Sequence, residues 1–290
     1  MAITQPLCLT LPGDDGYQIP VRWFDAGPAQ AAIILMPALG VAARFYDPLA
    51  ASLQAAGLPV LLMEQRGHGD SALRASRQVD YGFREALMHD IPALLAFLRS
   101  QHAGRPVYLM GHSLGGHYAA IMSGLLPEAV AGVILAACGS AWTGGFQGST
   151  RWQLHLLTRL IPVLTTTLGY YPGERVGFGG REASRLMHDW LQLARHDRYS
   201  ATGLDLDLEA GIASYGGPVL ALRMADDSFA PEAAVECVLR RFQQARVTRQ
   251  VLDSATLGDR ADHFRWARSP AAVTASVSAW LAAQQPVSAA

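Results

Sequence analysis

The chain has 290 residues, of which half are apolar and 16% are charged, and its formal net charge is −1. This composition supports a large buried core and excludes an intrinsically disordered chain, while the near-neutral charge gives no support to nucleic-acid binding. All 23 basic residues are arginine. The lack of lysine excludes Schiff-base catalysis, a pyridoxal phosphate site and a phosphate-loop NTPase site.

The three cysteines are widely spaced and lie in apolar surroundings, which predicts reduced core residues and neither a disulfide framework nor a zinc site. They are Cys8, Cys138 and Cys237. The first residues lack the basic and apolar regions of a signal peptide, and no apolar run reaches the ~18 residues that span a bilayer. We therefore expect a cytoplasmic protein with no membrane span.

Turn residues and apolar runs predict a hairpin at the start of the chain, followed by alternating strands and helices. The predicted strands lie at 7–11, 18–23, 31–36, 60–63, 106–110 and 130–137, and the predicted helices between them lie at 45–56 and 83–101. Strands that alternate with helices in this way favour a mostly parallel sheet with helices on both faces.

The alternation stops between residues 139 and 211, where Gly- and Pro-rich turns join helical stretches at 152–160 and 183–195. No comparable strand is predicted there. Because the alternation then resumes, we expect a core of residues 1–138 and 212–290 that carries residues 139–211 as a helical cap insertion. The later predicted elements are a strand at 218–223, a helix at 231–244, a strand at 246–252 and a closing helix at 270–284.

The sequence Gly-His-Ser-Leu-Gly-Gly at 111–116 stands between a predicted strand and a predicted helix. A Gly-x-Ser-x-Gly turn in this place holds Ser113 in a strained conformation and exposes its hydroxyl, provided that neighbours such as Gly111 and Gly115 are small. The helix that follows also directs free N–H groups at a developing negative charge. Ser113 is therefore the candidate nucleophile.

A serine nucleophile needs a general base, and the base needs a partner that holds its tautomer. In open α/β sheets these groups gather at the carboxyl ends of the strands. Asp226 and Asp227 directly follow the strand at 218–223, and His263 lies between the last predicted strand and the last helix. These are the candidate acids and the candidate base. We expect structural roles for the other histidines: His68, His89, His102, His112, His117, His155, His188 and His196.

With these motifs in view, the chain resembles the α/β-hydrolase fold serine hydrolases over nearly its full length. The resemblance rests on the motif at 111–116, on Arg-Gly-His-Gly-Asp-Ser at 66–71 and on Asp-Ser-Phe-Ala-Pro at 227–231. It implies an eight-stranded, mostly parallel sheet with a helical cap. In this family the acid commonly lies four residues before such a proline, which favours Asp227 over Asp226.

The resemblance also implies an oxyanion hole made of backbone N–H groups. Many members carry His-Gly after the third strand, whereas this chain has Pro37-Ala38 there. A backbone donor does not depend on the side chain, so Leu39 or Ala38 is expected to act together with Leu114.

The predicted cap is rich in aromatic residues, and the stretches at 169–173 and 262–266 resemble a poorly characterised subgroup of predicted hydrolases. The aromatic rings either pack the cap onto the core or line an apolar pocket for the substrate. Seven arginines against four acidic residues at 151–198 indicate a solvated face or a site for an anionic group. The candidate substrate-binding residues are Trp142, Phe146, Trp152, Tyr170 and Tyr171.

Together these features predict a serine hydrolase that uses no metal and no cofactor and cleaves a carboxylic ester of a small molecule through an acyl-enzyme. The same triad also serves thioester hydrolysis, acyl transfer, amide cleavage and cofactor-free lyase chemistry on this fold, and these remain alternatives. A ligand-binding protein without catalysis is a third possibility. The oligomeric state cannot be read from the sequence.

Overall fold

Ten strands are present among residues 5–284, the part of the chain that the computed structural model describes. They are β1 (Leu7–Pro12), β2 (Gln18–Phe24), β3 (Ala32–Met36), β4 (Val60–Met63), β5 (Val107–His112), β6 (Gly132–Ala136), β7 (Tyr170–Pro172), β8 (Arg181–Ala183), β9 (Pro218–Met224) and β10 (Arg246–Leu252). Eight of them form one sheet in the order β1-β2-β4-β3-β5-β6-β9-β10, and β7 pairs with β8. Only the β1–β2 and β2–β4 pairs of this sheet are antiparallel, so the predicted eight-stranded, mostly parallel sheet is confirmed.

The helices fill the connections between the strands. They are α1 (Asp47–Ala55), α2 (Phe83–Glu85), α3 (Ile91–Gln101), α4 (Leu114–Leu125), α5 (Gly148–Leu168), α6 (Gly173–Val176), α7 (Ser184–His196), α8 (Leu208–Ser214), α9 (Glu232–Leu239), α10 (Ser254–Leu257) and α11 (Ala271–Gln284). Within the described residues, none of these helices has both the length and the apolar character needed to cross a membrane.

Strand β3 shows why the sheet is covered on both faces. Its residues are all buried, and successive side chains enter two different apolar cores. Ile34 and Met36 belong to the core that α3 and α4 complete, whereas Ile33 and Leu35 belong to the core completed by α1 and α11. The continuous apolar run of this strand therefore reflects burial on both sides.

The helix predicted at 83–101 forms over that range, but it is interrupted by a π turn at Ala86–Asp90. Pro92, two residues after the end of the π turn, lacks an N–H group and would crowd the carbonyl of Met88 in a regular α-helix. The wider turn removes this conflict. It also places Asp90 against the guanidinium of Arg66.

The segment between β6 and β9 differs most from the prediction. Helix α5 extends well beyond the predicted 152–160, and the short antiparallel ladder of β7 and β8 was not predicted at all. Strands of three residues carry too little alternation to be recognised in a sequence. Strands β6 and β9 pair directly, with Val133 opposite Val219 and Ala136 opposite Leu222. The segment thus leaves and re-enters the sheet between neighbouring strands.

Two smaller differences concern the ends of elements. Helix α9 ends at Leu239, five residues before the predicted end at 244. The guanidinium of Arg241 is buried there against Asp197 and Glu209, and this tertiary contact is not encoded in the local pattern. Strand β5 continues through His112 and so reaches the residue next to Ser113.

The cysteine prediction is correct for Cys138 and Cys237, which are buried, and wrong for Cys8, which is exposed. Cys8 lies on β1, the edge strand of the sheet, where only one face is covered. Its sulfur lies 3.6 Å from a guanidinium nitrogen of Arg22. All three thiols are free.

A buried ion pair links the loop after β4 to the π turn, and its loss should be costly. Arg66 Nη2 lies 2.6 Å from Asp90 Oδ1 and 2.7 Å from Asp15 Oδ2, and little of either Arg66 or Asp90 is exposed. We expect Asp90→Ala to lower the free energy of unfolding by about 3–5 kcal/mol, because the buried guanidinium keeps only Asp15. Urea-induced unfolding measures this change.

The exposed pair of Arg249 with Glu236 is the matched control. Glu236→Ala should change the free energy of unfolding by no more than about 1 kcal/mol, since exposed ion pairs contribute little. Equal effects of Asp90→Ala and Glu236→Ala would contradict the importance of the buried pair.

Candidate active site

Ser113 forms a one-residue turn between β5 and α4. Its backbone has φ 50° and ψ −111°, a conformation that residues other than glycine rarely adopt. Its N–H donates to the carbonyl of Ala136 at 3.2 Å, which ties the turn to the end of β6. The side chain is partly exposed. Strain of this kind is retained where the surrounding structure holds it, often at functional sites.

The glycines around Ser113 allow three pieces of backbone to meet. A Cβ atom on Gly111 would lie 2.1 Å from the carbonyl of Gly115, and one on Gly115 would lie 2.2 Å from the carbonyl oxygen of Met36. A Cβ on Gly116 would lie 2.6 Å from the sulfur of Cys138. Larger residues at these positions would separate α4 from β3, β5 and the chain after β6.

His263 and Asp227 form a buried hydrogen-bonded pair, with Nδ1 of the imidazole 2.7 Å from Oδ2 of the carboxylate. The other carboxylate oxygen accepts from the N–H groups of Phe229 at 2.8 Å and Ala230 at 3.0 Å. An ionised carboxylate only accepts hydrogen bonds, so the proton of a neutral His263 lies on Nδ1. Its Nε2 then remains available to accept a proton.

Asp226, the other candidate acid, lies elsewhere. It is exposed, its carboxylate accepts from the hydroxyl of Ser254 at 3.1 Å, and its N–H donates to the carbonyl of Ala261. The structure therefore pairs His263 with Asp227.

The three candidate residues follow strands β5, β9 and β10, which belong to the parallel part of the same sheet. Ser113 follows β5, Asp227 follows β9, and His263 lies in the loop after β10. The ring of His112, the residue before Ser113, packs on the ring of His263 with 4.6 Å between centroids. The buried indole of Trp266 donates to the carbonyl of His263 at 2.8 Å and anchors this loop.

His112 is held by Tyr46, a residue that carried no motif in the sequence. The Tyr46 hydroxyl accepts from the N–H of Ala38 at 2.9 Å and lies 2.7 Å from Nδ1 of His112. The hydroxyl thus bridges the backbone of Ala38 and the ring of His112. Burial, followed by the proximity of His263, lowers the pKa of His112 well below its ordinary value. The neutral His112 ring therefore lies between Tyr46 and His263 and contacts both.

This contact also distinguishes the two candidate oxyanion donors after β3. The N–H of Ala38 is occupied by Tyr46, whereas the N–H groups of Leu39 and Leu114 donate to no residue in the described part of the chain. The loop is tied to the start of α4, because the N–H of Gly115 donates to the carbonyl of Pro37 at 3.0 Å. Leu39 is therefore the better-placed donor of the two.

The five aromatic residues proposed from the sequence have different surroundings. Trp152 is 75% exposed on α5, whereas Phe146 and Tyr171 are buried. Tyr170 lies under the guanidinium of Arg181, and Trp142 lies near that of Arg240. Among residues 5–284, none of these five rings packs on the His263 ring.

The aromatic rings that do pack on His263 belong to core loops and were missed by the sequence analysis. Phe229 lies 5.2 Å and Phe264 4.8 Å from the His263 ring, measured between centroids. Each stands within two positions of a candidate catalytic residue. That closeness in sequence was the available signal.

A family model described as serine aminopeptidase, S33, matches residues 27–198, which is more than half of the chain. The chain belongs to this family. The matched region contains Ser113 and ends before Asp227 and His263.

Human monoglyceride lipase is 29% identical to this S33 family member over 113 residues, which are 39% of this chain and 36% of the lipase. Among solved structures, DcsB in complex with its substrate analogue has a TM-score of 0.65 at 14% identity and covers 97% of this chain and 100% of DcsB. The esterase EaEST from Exiguobacterium antarcticum has a TM-score of 0.64 at 15% identity, over 95% of this chain and all of the esterase.

At such identities the structural likeness establishes the α/β-hydrolase fold alone. Family membership indicates an activity of the serine hydrolase class.

A buried contact between His68 and Glu182 holds the β7–β8 ladder to the core. His68 Nε2 lies 3.0 Å from Glu182 Oε2, and both side chains are buried. The other Glu182 oxygen accepts from the N–H of Gly180 at 2.7 Å. The turn of the ladder approaches the loop after β3, because a Cβ on Gly179 would lie 3.2 Å from the side chain of Leu39.

Burial disfavours the charged form of His68, but the hydrogen bond and the charge of Glu182 exceed this effect and raise the pKa of His68. Glu64 adds to this raise and Arg74 opposes it. Since the folded pKa lies above the ordinary value of 6.5, the stabilisation is complete below about 6.5 and is lost as the pH rises through the folded pKa.

We therefore expect the free energy of unfolding to fall between about pH 6 and about pH 8.5, and we expect Glu182→Gln to reduce this fall. Urea-induced unfolding of both proteins at the two pH values measures the difference. The same pH dependence in wild type and Glu182→Gln would contradict the role of His68.

A second expectation concerns Tyr46. The Tyr46→Phe change leaves the N–H of Ala38 and Nδ1 of His112 buried without partners, which should lower the free energy of unfolding by about 2 kcal/mol. Ala38 directly precedes Leu39, the candidate oxyanion donor. We therefore also expect kcat to fall by a larger factor than KM changes. Tyr108 is the matched control, because it is likewise a buried tyrosine and its ring packs on Trp280 in the core. If Tyr108→Phe lowers kcat as much as Tyr46→Phe, the hydrogen bonds of the Tyr46 hydroxyl have no specific effect on catalysis.

Proposed function

We propose that this enzyme hydrolyses carboxylic esters of small molecules through an acyl-enzyme intermediate, without a metal or a cofactor. The observation that carries the proposal is the 2.7 Å hydrogen bond between His263 and Asp227, together with a strained and partly exposed Ser113 whose neighbour His112 packs on His263. A nucleophile, a base and an orienting carboxylate are what acyl transfer to serine needs, and no other group has to be supplied.

In the proposed mechanism the Ser113 hydroxyl oxygen attacks the ester carbonyl while Nε2 of His263 takes its proton. Asp227 holds His263 in the required tautomer and stabilises the imidazolium. The N–H groups of Leu39 and Leu114 bind the oxyanion, and each such donor typically contributes about 3 kcal/mol to transition-state stabilisation. His263 then protonates the leaving alcohol, and water activated by the same imidazole releases the acid.

We further propose that residues 139–211 cover this site as a cap. The contacts of the β7–β8 ladder support this, since it reaches both His68 and the side chain of Leu39. Exclusion of water above Ser113 would strengthen the electrostatic interactions on which the mechanism depends.

Amide cleavage is the second candidate, because the family is described as serine aminopeptidase. Esters are the better match to the names of the similar proteins, a lipase and an esterase. The two reactions share the acyl-enzyme and differ in the leaving group. An amine must be protonated before it leaves the tetrahedral intermediate, whereas the alcohol oxygen of an ester leaves more readily. Thioesters share the same intermediate.

A fluorophosphonate probe tests the assembled triad. Wild type should become labelled at Ser113, and His263→Ala should label far more slowly because the base is absent. Ester, thioester and amide derivatives of one acid, compared by kcat/KM, then identify the preferred bond. Folded wild type that neither labels nor hydrolyses any of the three derivatives would refute the proposed function.

A further inference from the structure

Three phenylalanines from separate parts of the core form a cluster at the His263 ring. Phe229 and Phe264 pack on it directly, and the Phe264 ring also contacts Phe45 at 6.4 Å and Phe229 at 6.5 Å between centroids. We propose that these three rings form a subsite for the leaving group, selecting esters of aromatic or bulky apolar alcohols. This inference rests on the proposed function and adds a substrate class to it.

The exposure of these rings is the first argument. His263 and Asp227 are buried, yet Phe229 is 50% and Phe264 40% exposed directly beside them. Large aromatic surfaces that remain in contact with water at a site are unfavourable in the free protein, and a bound apolar group would remove them from water. Phe45 is half-buried and forms the wall behind Phe264.

The second argument is that both exposed rings stand on braced backbone. The N–H of Phe229 donates to Asp227 Oδ1 at 2.8 Å, and the N–H of Phe264 donates to Asp262 Oδ1 at 3.0 Å. The guanidinium of Arg268 lies 5.0 Å from the centre of the Phe45 ring. Rings held in this way lose little freedom when a ligand binds, so more of the contact energy appears as affinity.

The position of the rings identifies the part of the substrate that they contact. The proton taken from Ser113 must pass from Nε2 of His263 to the oxygen of the departing alcohol, so the alcohol group lies beside His263. The carbonyl oxygen faces the N–H groups of Leu39 and Leu114, and the acyl chain extends away from His263. Rings packed on His263 therefore contact the alcohol group.

The test compares benzyl and ethyl esters of one acid, because the two alcohols have similar intrinsic leaving ability. The measured quantity is the ratio of kcat/KM for the benzyl ester to kcat/KM for the ethyl ester. We expect this ratio to favour benzyl in wild type and to fall about 10-fold in Phe229→Ala and in Phe264→Ala. Phe229→Leu and Phe264→Leu, which keep an apolar side chain, should retain part of the preference.

Leu7→Ala is the control, since Leu7 is an exposed apolar residue on the edge strand β1. It should leave the ratio unchanged. An enzyme that hydrolyses both esters but keeps the wild-type ratio in Phe229→Ala and Phe264→Ala overturns the subsite and leaves the proposed function standing. An enzyme that hydrolyses neither ester and resists the fluorophosphonate probe overturns both.

Discussion

Replacing Ser113 with alanine is expected to lower kcat for ester hydrolysis by about 10⁶-fold. The variant keeps the turn, the oxyanion donors and His263, but it has no oxygen that can attack the carbonyl. Residual hydrolysis would come from water bound in the same site. Initial rates with purified protein, together with the loss of fluorophosphonate labelling, measure the effect.

The comparison needs a variant that removes a hydroxyl without removing the nucleophile. Ser228→Ala serves, because Ser228 is exposed in the loop next to Asp227. Its kcat should stay close to that of wild type. Far-UV circular dichroism should show both variants folded. A folded Ser113→Ala enzyme that retains more than about one per cent of wild-type kcat would exclude Ser113 as the nucleophile.

The second large effect is expected from Asp227→Asn, which should lower kcat by about 10⁴-fold. Oδ1 of Asp227 accepts two backbone hydrogen bonds, from Phe229 and Ala230. The asparagine must therefore keep its oxygen there and turn its amide nitrogen toward His263. That nitrogen donates a hydrogen bond, so Nδ1 of His263 becomes the acceptor and its proton moves to Nε2. The imidazole can then no longer take the proton of Ser113.

Asp226→Asn is the matched control, one residue earlier in the same loop. Asp226 is exposed and bonds to Ser254, so its kcat should remain within about threefold of wild type. Measuring kcat over a range of pH distinguishes a lower maximal rate from a shift of the pH optimum. Equal losses in the Asp226 and Asp227 variants would indicate disruption of the loop and not a specific role for the pair.

Much of the fold could be predicted because its strands are buried on both faces. The strands at 60–63 and 246–252 have the predicted limits, and the elements from β3 to β6 appear in the predicted order. Prediction failed where structure depends on distant contacts. The β7–β8 ladder needs Glu182 against His68, which lies 114 residues away along the chain. No local pattern contains that information.

The candidate site shows the same division. Ser113 and His263 could be selected because strand–turn–helix order and strand ends are local features. Choosing Asp227 over Asp226 needed a family resemblance. The two residues are adjacent and chemically identical, and only the folded chain determines which side chain points toward His263. The contact of Tyr46 with His112 spans 66 residues and joins two neighbouring elements only after the sheet has formed. The rings that pack on His263 were overlooked for a similar reason, because exposure beside a buried pair is a property of the folded chain.

The direct pairing of β6 with β9 has a consequence for how enzymes of this design diversify. Ser113 precedes the intervening segment and Asp227 and His263 follow it, yet their strands are held in register by contacts that the segment does not make. We therefore expect recombination at these two strand ends to exchange the whole segment while the sheet keeps its register. Chimeras joined near Cys138 and Gly217 would take the sheet and the candidate triad from one parent and the proposed cap from the other.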